Sequence, residues 1–104
     1  MAQFDGHRNI GKHKDAIAHV IVVQSSQFDD YRRRVVVPLV RKSAVGKPSH
    51  ASFNPTFKIR GTPVVLRPLE VVSVLLERLG DVVESLSEDG QQIIAALDEL
   101  LSRA

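Results

Sequence analysis

The chain has no cysteine and no tryptophan, and its 104 residues include one tyrosine and four phenylalanines. Without cysteine there is no disulfide framework, no thiol nucleophile and no thiolate ligand for a metal. Long apolar runs are missing too. Stretches such as Val20-Ile21-Val22-Val23 are far below the roughly 18–20 residues that a membrane-spanning helix needs. The opening Met1-Ala2-Gln3-Phe4-Asp5 carries no basic segment followed by an apolar one, so a secretory signal is not expected and the cytoplasm is the expected compartment. The four histidines, His7, His13, His19 and His50, form no pair at a recognised ligand spacing, so neither a metal site nor a cofactor is expected. His19, within an apolar run, reads as a packed residue with one hydrogen bond. The paired acids Asp29-Asp30 and Glu88-Asp89 stand without a nucleophile or phosphate-loop motif. They read as a turn and a helix start rather than acid–base machinery, which argues against an enzyme.

What the chain does have is valine, 15 residues of it, in a composition 43% apolar. β-Branched side chains suit strands. The length predicts one domain over residues 1–104, with a core small enough that a homodimer would help it. The net charge of +2 conceals a basic part, residues 1–67, and an acidic part, residues 68–104. Such a pattern attracts acidic partners to one end of a molecule, or is mixed away by folding or pairing.

Along the chain, Gln3–Arg8 reads as an opening strand and Asn9–Asp15 as a hairpin loop. Ala16–Gln24 is apolar on both faces, which predicts a central strand. Arg33–Val40 is a second β-rich run, and Pro38 inside it predicts an edge, a bulge or a bend. Arg41–Ser52 reads as a mobile loop. Phe57–Leu66, with Arg60-Gly61-Thr62-Pro63 at its middle, reads as a hairpin. Leu69–Leu86 fits both a helix and strands, with Gly80 interrupting any helix at about 1 kcal/mol. Ser87 with Glu88 and Asp89 predicts a capped helix start. Ile93, Ala96, Leu97, Leu100 and Leu101 then form one apolar stripe at helical spacing. Strands first and a helix last argue an antiparallel sheet with a terminal helix. Arg32-Arg33-Arg34 suits phosphate contact, or a solvated face, or pairing with Asp29 and Asp30.

Six strings, in order, resemble the CcdB family, toxins of plasmid-addiction modules that poison DNA gyrase. They are Gln3-Phe4-Asp5, Val23-Gln24-Ser25, Arg33-Arg34-Val35-Val36-Val37-Pro38-Leu39, Asn54-Pro55-Thr56-Phe57, the segment from Leu79 to Leu86, and Ile93-Ile94-Ala95-Ala96-Leu97-Asp98. The resemblance implies a mainly β (α+β) fold: a small barrel-like antiparallel sheet with a three-stranded extension and one C-terminal α-helix. It makes Val71–Leu79 mostly extended. It also implies a homodimer that enters the gyrase A subunit and traps the cleaved DNA complex, an inhibitor rather than an enzyme. The implied partners are a CcdA-like antitoxin and, for toxin and antitoxin together, operator DNA; no membrane is involved.

Carried over by position, the gyrase-binding residues are Gln27, Phe28, Asp98, Leu101, Ser102, Arg103 and Ala104. The antitoxin-binding residues are Gln27, Phe28, Asp98, Leu101 and Ser102. Toxic members of the family have Trp-Gly-Ile where this chain has Ser102-Arg103-Ala104. The leading expectation is a type II gyrase-directed toxin neutralised by its antitoxin. The alternatives are a non-toxic or retargeted relative that keeps antitoxin binding and operon control, and an unrelated small β-barrel binding module.

Overall fold

The computed structural model describes residues 3–11, 16–48 and 50–102. Seven strands form one antiparallel sheet: β1 (Asp5–Arg8), β2 (His19–Val22), β3 (Arg33–Arg41), β4 (Thr56–Ile59), β5 (Thr62–Leu66), β6 (Val72–Leu75) and β7 (Val82–Ser85). The order is β4-β5-β3-β2-β1-β7, with β6 also on β3. A one-turn helix, α1 (Lys42–Val45), follows β3, and the longer helix α2 (Gly90–Ser102) closes the described chain. The sheet curls into a half-barrel and α2 lies in its hollow. The fold is the mainly β arrangement with a C-terminal helix that the resemblance implies.

β3 is the spine. One edge pairs with β2, from His19–Leu39 to Val22–Val36. The other edge pairs with β5 at Leu39–Arg41 and with β6 at Arg33–Val36. The core lies on the helix side: Ile21, Val37, Leu39, Phe57, Ile59, Val64, Leu66 and Leu86 pack against Ile93 and Ala96 of α2, with Leu97 beside them. The opposite-facing Val22, Val36, Val40 and Val65 are buried as well. Burial on both faces is why β3 reads as an unbroken apolar run.

Pro38 does not mark an edge. It sits mid-strand, opposite Val20 of β2. Its carbonyl accepts from Arg67 N–H at 3.1 Å, on the side where β5 ends and β6 has yet to begin. In a strand a residue's N–H and C=O point to the same edge. The missing N–H therefore falls in the gap between two partner strands and removes no ladder bond.

Three other expectations change. Arg41–Ser52 contains α1, which stops at Gly46 with φ +73. The hairpin turn is two residues, Arg60-Gly61, both at positive φ (50 and 81), the signature of a type I′ turn. Ser87 opens a 3-10 turn, Ser87–Asp89, and does not cap a helix; its N–H donates to Ser85 Oγ at 3.2 Å. The hairpin loop at residues 9–15 lies partly outside the described residues.

The ambiguous segment resolves against the helix. Two 3-10 turns, Pro68–Glu70 and Leu76–Arg78, bracket β6, and β7 follows. β6 is drawn into strand form by its register on β3 from Arg33–Leu75 to Val36–Val72. Tertiary pairing thus overrides a helical spacing of apolar residues. Folding also mixes the charges of the two halves, as in the ion pairs Arg32–Glu77 at 3.0 Å and Arg67–Glu70 at 3.1 Å.

Gly80 acquires a different role from the one its place in a helical pattern suggests. A Cβ built on it would lie 2.5 Å from the Arg8 carbonyl oxygen and 2.9 Å from the Ile10 side chain. The glycine lets two backbones meet, and its carbonyl also holds His7 Nδ1 at 2.9 Å. In an exposed helix Gly80→Ala would stabilise by about 1 kcal/mol. Here it is expected to destabilise by about 1–3 kcal/mol through overpacking against backbone. The shift of the urea midpoint decides the sign, and a stabilised variant would refute the close approach.

Candidate functional site

Gln27 and Phe28 belong to a 3-10 turn, Ser26–Phe28, between β2 and β3. Ser25 caps it, its Oγ accepting from Gln27 N–H at 3.4 Å. Gln24 ties the turn to β3: its Nε2 donates to the Phe28 carbonyl at 3.1 Å, and its Oε1 accepts from Val35 N–H at 3.0 Å. Gln27 points to solvent. Phe28 is 46% exposed and Tyr31 64%. Their rings meet edge to face with centroids 6.2 Å apart, a favoured aromatic geometry. Together with Gln24, Arg33 and Val35 they line a shallow open groove of about 400 Å³.

The rigidity of this platform comes from Arg34. Of the three consecutive arginines, Arg32 is exposed and pairs with Glu77. Arg33 is exposed and donates to Ser73 Oγ and Ser73 O, both at 2.8 Å. Arg34 is buried. Its guanidinium donates to the carbonyls of Tyr31 (2.6 Å), Arg33 (2.9 Å) and Asp29 (2.9 Å), and its Nε lies 3.7 Å from Asp29 Oδ1. A planar fork of donors fills the inside of the 29–33 loop. Pairing with Asp29 is as expected; a solvated face at position 34 is not.

Asp98, Leu101 and Ser102 sit at the end of α2. Asp98 is exposed, and Leu101 is 81% exposed, the most exposed large apolar side chain described. The stripe of α2 leaves the hollow after Leu97 and Leu100, both half-buried. The Ser102 hydroxyl donates back to the Asp98 carbonyl. That bond turns the side chain onto its own helix instead of outward. Arg103 and Ala104 lie outside the described residues.

The two groups of expected site residues are anchored to different parts of the fold. The turn bearing Phe28 is held by Gln3, Gln24 and Ser25. The end of α2 approaches the 50–55 segment, with Ser52 Oγ 3.5 Å from Glu99. Sequence reasoning missed Tyr31 and did not separate Arg34 from Arg32 and Arg33. The only signal was the position of Tyr31 beside the basic run, which does not show that Arg34 is the buried member.

The sequence model of the CcdB family, described as CcdB protein, matches residues 3–102. The chain belongs to the CcdB family. None of the curated proteins matches it. Membership in the CcdB family makes the chain the toxin of a toxin–antitoxin module, in a family that acts without catalysis and whose partners are an antitoxin and gyrase. No helix among the described residues is long and apolar enough to cross a membrane.

If Arg34 supports the platform, its loss deprives the carbonyls of Asp29, Tyr31 and Arg33 of their shared donor. Arg34→Ala is expected to cost about 2–4 kcal/mol, whereas Arg33→Ala, at an exposed site, costs under about 1 kcal/mol. Thermal or urea unfolding of the two variants checks the contrast. Equal losses would mean that the 29–33 loop is held by something else.

Proposed function

We propose that this chain is a gyrase-directed toxin, attenuated at residues 102–104, that acts in the cytoplasm as a homodimer and is neutralised by a CcdA-like antitoxin. Toxin and antitoxin together would occupy operator DNA. The family match over residues 3–102 carries the reading. It is supported by the exposure of Phe28 and Leu101, two of the positions the resemblance assigns to partners, as apolar side chains at the surface. Apolar anchors that protrude from rigid elements are what a partner's pockets can grip. Leu69, Val71 and Val72, also exposed, supply apolar surface of the kind a dimer covers.

Attenuation follows from side-chain chemistry. An aromatic at position 102 would fill a pocket; Ser102 presents a hydroxyl that is already bonded to Asp98. Arg103 puts a long cation where toxic members have a glycine, and Ala104 is smaller than isoleucine.

Antitoxin binding is expected to use Phe28. Phe28→Asp replaces an anchor with a charge and should weaken binding by about 2 kcal/mol in calorimetry. An unchanged affinity would place the antitoxin elsewhere on the surface.

Gyrase poisoning is the deciding test. A Ser102→Trp, Arg103→Gly, Ala104→Ile variant should gain about 3–5 kcal/mol of binding, roughly two to four powers of ten. It should therefore trap gyrase-cleaved DNA at far lower concentration than the native chain. Trapping by the native chain at nanomolar concentration would overturn the attenuation. No trapping by either protein, with antitoxin binding retained, would favour a relative that serves operon control instead.

A further inference from the structure

At the open end of the half-barrel the inward face changes from apolar to basic. Residues opposite one another in an antiparallel ladder share a face. Arg8 of β1 faces His19 of β2, and His19 faces Leu39 of β3, which is in the core. Arg41 is two residues beyond Leu39 and so lies on that face too. Arg60 reaches the same mouth from the β4–β5 turn. These four residues line an open cavity of about 340 Å³, with Asn9, Ala18, Ile59, Thr62 and Val83 forming the rest of its wall. None of the partner-facing positions discussed above takes part in it.

Two features of this mouth have no structural explanation in the fold. His19 Nδ1 is buried and has no hydrogen-bond partner. Arg60 occupies the first central position of the type I′ turn with φ +50, a place that favours asparagine or glycine and strains an arginine. Its N–H is fixed to Glu84 Oε1 at 2.8 Å, and its Nη2 lies 3.4 Å from the Val83 carbonyl. The turn therefore holds a guanidinium over the cavity, while Glu84 is engaged with the Arg60 backbone.

We propose that the mouth formed by Arg8, His19, Arg41 and Arg60 is a binding site for the phosphate group of a small phosphomonoester. Guanidinium forks match the oxygens of a tetrahedral dianion, and a buried imidazole nitrogen offers it a further donor when protonated. The volume exceeds that of a bare phosphate, and Ala18, Ile59 and Val83 give an apolar wall for the ester's carbon body. A concave mouth admits a terminal phosphate end-on and is a poor match for the continuous backbone of duplex DNA.

The electrostatics agree. Burial first, and then the charges of Arg41, Arg8 and Arg60, hold the His19 pKa below the ordinary imidazole value, with Glu84 opposing. A histidine so depressed favours the neutral form in the folded protein, so stability falls as pH drops below the unfolded value. A bound dianion offsets the three guanidiniums, and binding should raise the His19 pKa.

The test is a titration of the full chain, at constant ionic strength, with inorganic phosphate, sulfate, ribose 5-phosphate and chloride. It is followed by amide and imidazole NMR shifts and by the anion-induced rise in Tm. Phosphate and sulfate are expected to shift resonances of Arg8, His19, Arg41 and Arg60 specifically, with ribose 5-phosphate about tenfold tighter than free phosphate. Sulfate, whose charge is constant over this range, should bind more tightly as pH falls from 7.5 to about 5.5. The variant Arg60→Asn keeps a residue suited to the turn. It should preserve or raise Tm without anion, yet weaken phosphate binding by about tenfold or more. Dianions that act no differently from chloride would overturn the site, as would an Arg60→Asn variant of native affinity. Equal affinity for ribose 5-phosphate and free phosphate would reduce it to a bare anion site. A short DNA duplex that shifts the same resonances more strongly, at equal phosphate concentration, would replace the small ligand with nucleic acid.

Discussion

The fold depends on one strand serving three partners. β3 spans nine residues, and each edge is occupied: β2 on one side, β5 and then β6 on the other. A strand shared this way must be buried on both faces along most of its length, and Val36, Val37, Leu39 and Val40 are. It must also survive a change of partner partway along one edge. Pro38 stands at that change. A residue with an N–H would leave an unbonded donor in the gap between β5 and β6, and a buried donor without a partner costs about 1–3 kcal/mol. Proline has none to leave. The residue that looks like a strand breaker in the sequence is therefore suited to the fork.

The fork also separates two working regions. The half of β3 that pairs with β5 roofs the core and the basic mouth; the half that pairs with β6 carries the Phe28–Tyr31 platform. Arg34 sits at the start of the second half and binds the loop from inside through backbone carbonyls. Its hydrogen bonds specify a loop shape, whatever side chains lie on the outside. Gln27, Phe28 and Tyr31 can therefore vary while the loop stays in place. This division fits a family in which one small scaffold meets different macromolecules.

Much of the fold was legible because the pattern had a local cause. β2 and β3 are valine-rich and β-branched, the β4–β5 hairpin announces itself with Gly61, and Ile93, Ala96 and Leu97 fall on one helical face. What was not legible has non-local causes. The segment Leu69–Leu86 carries a helical spacing, and only its register on β3 and β1 makes it extended. Gly80 looks like a helix defect until the Arg8 carbonyl is found against it. Arg34 cannot be told from Arg32 and Arg33 by sequence, since alternation assigns a face but not the carbonyls waiting there. At the candidate site, the sequence gives residue positions through a family likeness. Whether each is presented to a partner is a matter of the structure: Phe28 and Leu101 project, while Ser102 folds back onto Asp98.

That last contrast bears on how such a toxin loses or changes potency. The apolar side chains that build the core end at Leu97 and Leu100, both half-buried; Leu101 and Ser102 lie beyond them, exposed. Substitutions at Leu101 and Ser102 are therefore expected to cost little stability. The opposite holds for Arg34, where a change that alters Phe28 would do so by loosening the loop. Two routes to a weaker toxin follow, and they differ in kind. Under the proposed function, change at the helix end would remove contact with one target and leave the protein folded, able to bind any partner that uses the Phe28 platform. Change beneath the platform lowers stability and every interaction of that face at once. Under the proposed function Ser102-Arg103-Ala104 belongs to the first route, and a diminished action on gyrase is compatible with an intact CcdB fold.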